Sequence, residues 1–564
     1  MDRMEIAAAL EELGRLLEAT GEPGYRVRAY ERAARSIAQV GDGHLERLIA
    51  EDALEELPHI GKGLSRKIAT LHQTGTLPEL EQLRRRLPTG FRQLVRVEGL
   101  GPKKVLLLRD ALGIQDLDDL ERAVHEQRVR TVKGFSAAGE AKLVAAIEAA
   151  RARRDRYLWL TAMREAERLV PHVEAAGARA VTLAGAARRA QEEVDDLSLV
   201  VLSDDPDRIA SALEARGVLL APLRTAPDRV TGTNADGLPV EVIVAPVDTH
   251  ATALLWATGP DDHVRDLVAR AAAAGLELTP DGLFEGDALL PISEEADLYA
   301  RLGVPPVPPE LREEPSAVGQ DHADLVRAAD ITGMVHCHTT FSDGRNTIEE
   351  MARACDQLGI AYLTITDHSP TASYAGGVEP ERLAEQWAEI DRVQRGVEVT
   401  ILKGTESDIL ADGALDYPDD LLGRMDIVIA SIHNRYKLDR KGMTERLVAT
   451  MRNPRFKIWG HGLGRMIGRR DPVDCDVDLV LDAAAEGRVA IEINADPHRL
   501  DLPPRWVRAA RERGIPLVVS VDAHSVGGLS VLPFGIGIAR RAGVRRAEVL
   551  NTRGVEEFSD AVRP

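Results

Sequence analysis

Cysteine is scarce in this chain: three residues (Cys337, Cys355, Cys475) among 564, far apart and odd in number. That argues against a disulfide framework and suits a reducing compartment. Long apolar runs are missing too. Met1 to Thr20 mixes Asp2, Arg3, Glu5, Glu11, Glu12 and Arg15 with apolar residues at helical spacing, so it lacks a signal-peptide core. No run elsewhere is long enough to span a bilayer, and the expectation is a cytoplasmic protein that avoids membranes. Positive charge is in deficit: the formal net charge is −20. An acidic chain has no global footprint for nucleic acid, so any such binding must rest on local basic patches or backbone donors. The length leaves room for about three to five domains.

What the chain does have is a repeated pattern in its C-terminal part. Seven short apolar runs each end in residues that can bind metal. Met334-Val335 leads into His336-Cys337-His338, Tyr362–Ile365 into Asp367-His368, and Val399–Leu402 into Glu406. Ile427–Ile429 leads into His433, Phe456–Trp459 into His461, Val489–Ile491 into Glu492 and Asn494, and Leu517–Val519 into Asp522-Ala523-His524. Short β-rich runs separated by helical stretches predict strands and helices in alternation closing into a barrel. Barrel chemistry gathers at the C-terminal strand ends, so these polar groups would meet in one mouth. His336 and His338 are two apart on a strand and would point to one face, with Cys337 turned away into packing. Asp367 either orients His368 or caps its strand end. Arg345 and Arg465 are candidate phosphate clamps beside the mouth.

The first 150 or so residues lack strand-like alternation and predict helices. Three turns there share an apolar residue and glycine followed by a helix: His59-Ile60-Gly61-Lys62-Gly63, Val97-Glu98-Gly99-Leu100-Gly101-Pro102, and Val132-Lys133-Gly134-Phe135-Ser136. This is a helix-hairpin-helix pattern, whose following helix offers unpaired N–H groups to a DNA phosphate. Gly61, Gly63, Gly99, Gly101, Lys103 and Lys104 are the DNA-binding candidates. Two basic clusters adjoin them, Arg84-Arg85-Arg86 with Arg92 and Arg96, and Arg151 to Arg156. Each reads equally as a solvated helix face. From about residue 158 to 310 the pattern is mixed, with strand candidates at Ala180–Ala184, Leu197–Leu202 and Val240–Val244. The five prolines between Val304 and Pro315 predict a semi-rigid linker.

The order of these parts resembles the bacterial and archaeal family X DNA polymerases that carry a C-terminal PHP (polymerase and histidinol phosphatase) domain. The pieces that carry the resemblance are His336-Cys337-His338-Thr339-Thr340-Phe341-Ser342-Asp343-Gly344, Ile365-Thr366-Asp367-His368-Ser369, Gly404-Thr405-Glu406, Ala430-Ser431-Ile432-His433, Gly460-His461-Gly462 and Asp522-Ala523-His524-Ser525. The resemblance implies a multidomain α and α/β chain. Its parts are a helical domain over 1–85, a fingers-like helical domain over 86–155, a nucleotidyltransferase-like palm over 156–245 and a thumb over 246–312. The end of the linker follows over 313–330, then a distorted (β/α)7 PHP barrel over 331–564. It implies nine metal ligands, also the catalytic set: His336, His338, Asp343, His368, Glu406, His433, His461, Asp522 and His524. Six imidazoles and three carboxylates are too many for one ion and suit borderline metals such as Mn²⁺ or Zn²⁺, and the resemblance implies up to three such ions. The implied activities are 3′→5′ exonuclease, apurinic endonuclease or 3′-end phosphatase.

In the palm the chain departs from the family. The run Gly185-Ala186-Ala187-Arg188-Arg189 leads to Asp196 and Ser198 where the family shows an Asp-x-Asp pair, and Glu241 stands at the third aspartate. Arg188 and Arg189 match the family's arginine pair. Mg²⁺ needs hard carboxylate ligands in near-octahedral array, and two such ions must align the reacting groups. Mg²⁺ is therefore expected to bind the palm weakly, and polymerisation to be weak or lost. Lys67 lies near the family's lyase nucleophile but reads equally as a DNA-contacting lysine. The expected partners are gapped, nicked or 3′-ended DNA and dNTP, with the chain a monomer. Three other readings stay open: a gap-filling polymerase, a small-molecule phosphomonoesterase, and a non-enzymatic scaffold for DNA ends.

Overall fold

A computed structural model describes residues 1, 3–19, 24–40, 42–86, 94, 97, 99–152, 156–215, 218–234 and 237–564. Arg92, Arg96, Arg153 and Arg154 of the basic clusters lie outside the described residues, as do the side chains of Arg84, Arg85, Arg86 and Arg151. No helix among the described residues is long and apolar enough to cross a membrane. The chain divides into two compact units, Met1–Asp155 and Arg156–Pro564.

The first unit is helical among its described residues. Ile6, Leu10, Leu13 and Leu17 recur three and four apart along the helix Arg3–Ala19, and all are buried, the stripe that an amphipathic helix presents to a core. They share that core with Ile37, Leu45, Ile68, Leu108 and Leu120. The helices Lys62–Thr74 and Pro102–Leu112 are capped by Gly61 and Gly101, neither supplying a side-chain cap. Their first N–H groups therefore gain nothing from a cap. Gly99 turns with φ +87°, a conformation costly for any residue with a Cβ. In the third hairpin Ser136 takes the second glycine's place, and its hydroxyl accepts from the Gly139 N–H at 3.0 Å. That helix supplies its own cap.

The second unit holds a sheet and a barrel. Strands β1 (Ala180–Leu183), β2 (Leu197–Leu202), β3 (Leu220–Ala226), β4 (Arg229–Thr233) and β5 (Pro239–Ala245) form one sheet in the order β1-β2-β5-β4-β3. β2 and β5 run parallel with Ser198 opposite Glu241. Sequence pattern missed β3 and β4. Pro222 in β3 breaks the pattern of a strand, and the sheet tolerates it because β3 is an edge. The proline-rich segment is a packed strap rather than a linker: Val307 and Leu311 are buried with Leu255, Leu267 and Tyr299. Arg312, also buried, pairs with Glu295 at 2.9 Å. Composition records the prolines but not the apolar residues set between them.

Seven parallel strands follow, with helices between them: β6 (Gly333–Cys337), β7 (Tyr362–Ile365), β8 (Thr400–Asp408), β9 (Ile427–Ser431), β10 (Ile458–Trp459), β11 (Ala490–Asn494) and β12 (Leu517–Ser520). Each pairs with the next in sequence. Beyond the regular strands the last closes on the first. The Val521 N–H donates to the Val335 carbonyl at 3.2 Å, Ala523 N–H to the His336 carbonyl at 3.0 Å, and His338 N–H to the Ala523 carbonyl at 2.9 Å. The result is the nearly closed, distorted (β/α)7 barrel that the alternating pattern predicts. Val335, Tyr362, Ile427, Ile458, Ala490 and Val518 fill one buried cluster with Phe558. Most of them stand at or near the starts of their strands, leaving the ends to polar groups.

Candidate metal centre

The strand ends bring the nine candidate ligands into four overlapping groups. They are His338 with Asp343, His368 and His524; His336 with His338 and Asp522; His336 with Glu406 and His461; and His368 with Glu406 and His433. Within each group one ligand atom per residue lies within 4.8 Å of the others. Glu406 is the hub. Its Oε1 stands 3.4 Å from His336 Nε2, 3.2 Å from His433 Nε2 and 2.8 Å from His461 Nε2, and its Oε2 is 2.9 Å from His368 Nδ1. Asp343 Oδ1 lies 3.4 Å from His524 Nε2 and 3.6 Å from His368 Nε2. Asp522 Oδ1 lies 3.4 Å from His338 Nε2.

The backbone is bent to make this convergence. His336, His461 and Asp522 have φ of +66°, +21° and +48°, a region that costs a residue with a Cβ about 1–3 kcal/mol and clusters at working sites. His336 and His338 do share a face, their rings 5.2 Å apart. A break in register between Met334 and Cys337 produces this rather than plain alternation, and the His336 N–H is taken up by Thr364 Oγ1 at 2.9 Å. Cys337 is buried in the apolar core. Around His461 glycine is required for space: a Cβ at Gly460 would meet Ser431 Oγ at 2.4 Å, and one at Gly462 the Trp459 ring at 2.4 Å.

A second layer of carboxylates orients the imidazoles. Glu492 Oε1 is 2.6 Å from His336 Nδ1, and Glu492 Oε2 accepts from the His461 N–H. Asp408 holds His433 Nδ1 and accepts from Asn434 Nδ2 at 3.1 Å. The contacts to His336 and His433 each engage Nδ1 and turn Nε2 to the cradle, while that to His461 holds its backbone. Asn494 Nδ2 bridges Glu492 and Asp522 at 3.2 and 3.1 Å. Asp408 was legible in principle, since it follows Glu406 by two residues on one strand. Arg499, 3.9 Å from Asp522 and 3.5 Å from Asp496, lies past the end of β11 and has no such signal.

Charge within the cradle is strongly redistributed. For Glu406 burial opposes ionisation, yet His433, His368, His336 and His461 outweigh it and hold its carboxyl well below the usual range. His336 is buried as well, and Glu492, Asp522 and Glu406 overcome that and raise it well above 6.5. His338 goes the other way: burial, then His524 and His368, push it down to about 3. Coordination chemistry fits this donor set. His336 Nε2, both His338 nitrogens and both Glu406 oxygens are buried with no hydrogen-bond partner. Buried donors and acceptors are expected to be paired, and a divalent cation satisfies neutral imidazoles and carboxylates at once.

Other expected residues lie elsewhere or are otherwise engaged. Asp367 does not orient His368. Its oxygens accept from the Thr339 N–H at 2.7 Å, Thr339 Oγ1 at 2.6 Å, Ser342 Oγ at 2.5 Å and Gln386 Nε2 at 2.7 Å, so it ties down the loop that carries Asp343. Arg465 is not a free clamp, because its guanidinium forms two bonds to Glu192 at 2.9 and 2.7 Å. Arg345 places its N–H on the His524 carbonyl at 2.7 Å. In the sheet, Ser198 Oγ donates to Asp196 at 2.9 Å and Glu241 pairs with Arg229 at 3.2 Å. Arg188 binds Thr258 and Glu295 at 2.8 and 2.6 Å, and Arg189 binds Glu313 at 3.1 Å. Among the described residues no group of three metal-ligating side chains gathers there. In the first unit Lys67 contacts Tyr30 and Glu79. Burial would lower its pKa, but those bonds outweigh it and raise it, the opposite of what a lysine nucleophile needs. Lys104 donates to the Gly99 carbonyl at 2.9 Å, bracing its own hairpin, while Lys103, Gly61, Gly63, Gly99 and Gly101 are exposed.

Comparison with known proteins bears on every part of the chain. Residues 1–77 match the helix-hairpin-helix domain, 91–149 the SAM-like helix-hairpin-helix tandem, 253–313 the DNA polymerase beta thumb, and 335–496 the PHP domain. A probable phosphatase of Thermoanaerobacter sp. (strain X514) is 30% identical over 237 residues, 38% of this chain and 89% of that protein. Another, of Caldanaerobacter subterraneus subsp. tengcongensis, is 32% identical over 209 residues, 34% of this chain and 74% of its own. The DNA polymerase/3′-5′ exonuclease PolX of Bacillus subtilis (strain 168) is 33% identical over 565 residues, covering 99% of this chain and 98% of the relative. Likeness that runs end to end, through hairpins, thumb and barrel alike, places this chain in the PolX family.

Proposed function

We propose that the protein is a DNA-repair phosphodiesterase acting at 3′ ends, with its chemistry in the PHP barrel and polymerisation weak or lost. The observation that carries this reading is the contrast in carboxylate partners: Glu406 is shared among four imidazoles of the barrel mouth, while Asp196 and Glu241 each face one neighbour, Ser198 and Arg229. In this reading residues 1–85 and 86–155 hold gapped, nicked or 3′-ended DNA through hairpin N–H groups. Residues 156–245 and 246–312 are a palm and thumb that keep their scaffold and bind dNTP weakly. Residues 331–564 hydrolyse.

His336, His338, Asp343, His368, Glu406, His433, His461, Asp522 and His524 would hold up to three Mn²⁺ or Zn²⁺. Bound there, the ions supply an activated water and charge neutralisation for the phosphate oxygens. The protein's own share is orientation. Glu492 and Asp408 fix the rings of His336 and His433, Asp367 fixes the loop bearing Asp343, and the buried floor excludes bulk water. Likeness of the barrel to probable phosphatases favours a second reading, hydrolysis of small phosphate monoesters. Metal-loaded protein given a 5′-labelled single strand and a simple phosphate monoester separates the two. Preferential shortening of the strand, lost in His338→Ala, supports the first reading. Turnover of the monoester alone rejects it.

A further inference from the structure

Between residues 156 and 564, one aromatic side chain among the described residues is exposed to a large extent: Tyr374, at 49%. Its position is not casual. It sits on the single turn Ser373–Ala375 just after His368, and its ring centroid lies 6.1 Å from those of both His368 and His433. These two imidazoles, with Glu406, form one of the four ligand groups.

The turn is anchored. Ala372 and Ala375 on either side of it are buried. Thr371 donates its N–H to Asp416 at 2.7 Å, the Val378 N–H reaches the His368 carbonyl at 2.8 Å, and Ser369 Oγ accepts from Asp408 at 2.9 Å. A Cβ added at Gly377 would fall 2.0 Å from the Ser369 carbonyl. A held turn that leaves half of an aromatic side chain exposed forgoes part of the burial that such a side chain would otherwise gain. Beside it, a Cβ at Gly376 would lie 3.8 Å from the Ser342 carbonyl, so the turn borders the loop that carries Phe341 and Asp343. There the Arg382 guanidinium lies over the Phe341 ring at 5.6 Å. The rim thus offers a bare ring on one side and a cation-backed ring on the other.

We infer that Tyr374 is a specificity-determining platform on which the terminal nucleobase stacks while its phosphodiester lies in the cradle. This rests on the nuclease reading above and adds to it a preference for an unpaired, base-bearing 3′ end over a paired one. Every base has a π face, so stacking recognises a nucleotide without regard to sequence. A paired base is already stacked and would first have to be unstacked. Single phosphate esters without a base gain nothing from the ring.

The test uses the full metal-loaded chain and a single-stranded oligonucleotide with 2-aminopurine at its 3′ end and a phosphorothioate at the last linkage. Stacking quenches the probe. Quenching by the wild type and by Tyr374→Phe, with binding weakened roughly 5- to 150-fold in Tyr374→Ala, is the expected result. The ratio of kcat/KM for an ordinary 3′ end over one lacking its terminal base should shrink by a similar factor in Tyr374→Ala. Equal quenching by Tyr374→Ala and wild type would overturn the inference, as would equal losses in Tyr374→Phe and Tyr374→Ala, which would assign the effect to the hydroxyl. If the ring-dependent quenching is present and no variant cleaves, the nuclease reading fails and the platform stands.

Discussion

The central sheet and the barrel mouth both set carboxylates on parallel strands, and they differ in what each carboxylate faces. In the sheet, Asp196 accepts from Ser198 and Glu241 pairs with Arg229. Each acid there faces a single neighbour, one hydroxyl or one guanidinium. In the barrel, Glu406 meets His336, His368, His433 and His461 from four other strand ends. Among the described residues no arginine forms an ion pair with it, and both its oxygens face imidazole nitrogens. Charge alone does not make a metal site; unsatisfied donors from several strands do.

The comparison breaks most sharply on Glu406. Glu406→Ala should lower hydrolysis of a DNA 3′ end roughly 10²- to 10³-fold or more, since several kcal/mol of charge stabilisation is lost. Asp196→Ala should leave that rate within about twofold of wild type. Equal losses in the two variants would erase the distinction. Next come Glu492→Gln and Asp408→Asn, which keep the shape but weaken the hold on His336 and His433. Metal titration should find affinity down roughly 10- to 100-fold in each. Restoring the acids tests the sheet from the other side. Ser198→Asp combined with Glu241→Asp should raise Mg²⁺-dependent primer extension above the wild-type level. No gain would contradict the assignment of weak polymerisation to these two positions.

A smaller effect concerns pH. In the metal-free cradle burial alone would lower His336 and His433. The acids around both, with Tyr374 beside His433, outweigh it and raise them well above 6.5. Raised values stabilise the fold below about 6.5, and that stabilisation is lost as pH rises through them. Metal uptake must displace the same protons, so affinity grows with pH. The increase in Tm produced by Mn²⁺ should therefore be larger at pH 8 than at pH 6. A constant or inverted difference in thermal melts would contradict this assignment of charge.

The barrel was legible because its strands are short β-rich runs that end in ligand residues, and strand ends are where barrel sites form. The residues around the cradle were less so. Asp367 stands next to His368, yet its bonds run to Thr339, Ser342 and Gln386, because the loop after β6 folds over it. Glu192 and Arg465 are 273 positions apart, and no local pattern pairs them. Arg188 and Arg189 match the family's arginine pair, and the structure adds what sequence does not show: they bond the thumb residues Glu295 and Glu313. β3 and β4 were missed because an edge hairpin with Pro222 and Gly232 carries little apolar alternation.

One measurement addresses the central claim most directly. Metal-loaded protein is incubated with a labelled gapped duplex, with and without dNTPs, alongside Asp196→Ala and His338→Ala. The account predicts shortened products in the wild type and Asp196→Ala but not in His338→Ala, with little or no lengthening when dNTPs are added. Efficient gap filling that Asp196→Ala abolishes and His338→Ala retains would contradict it.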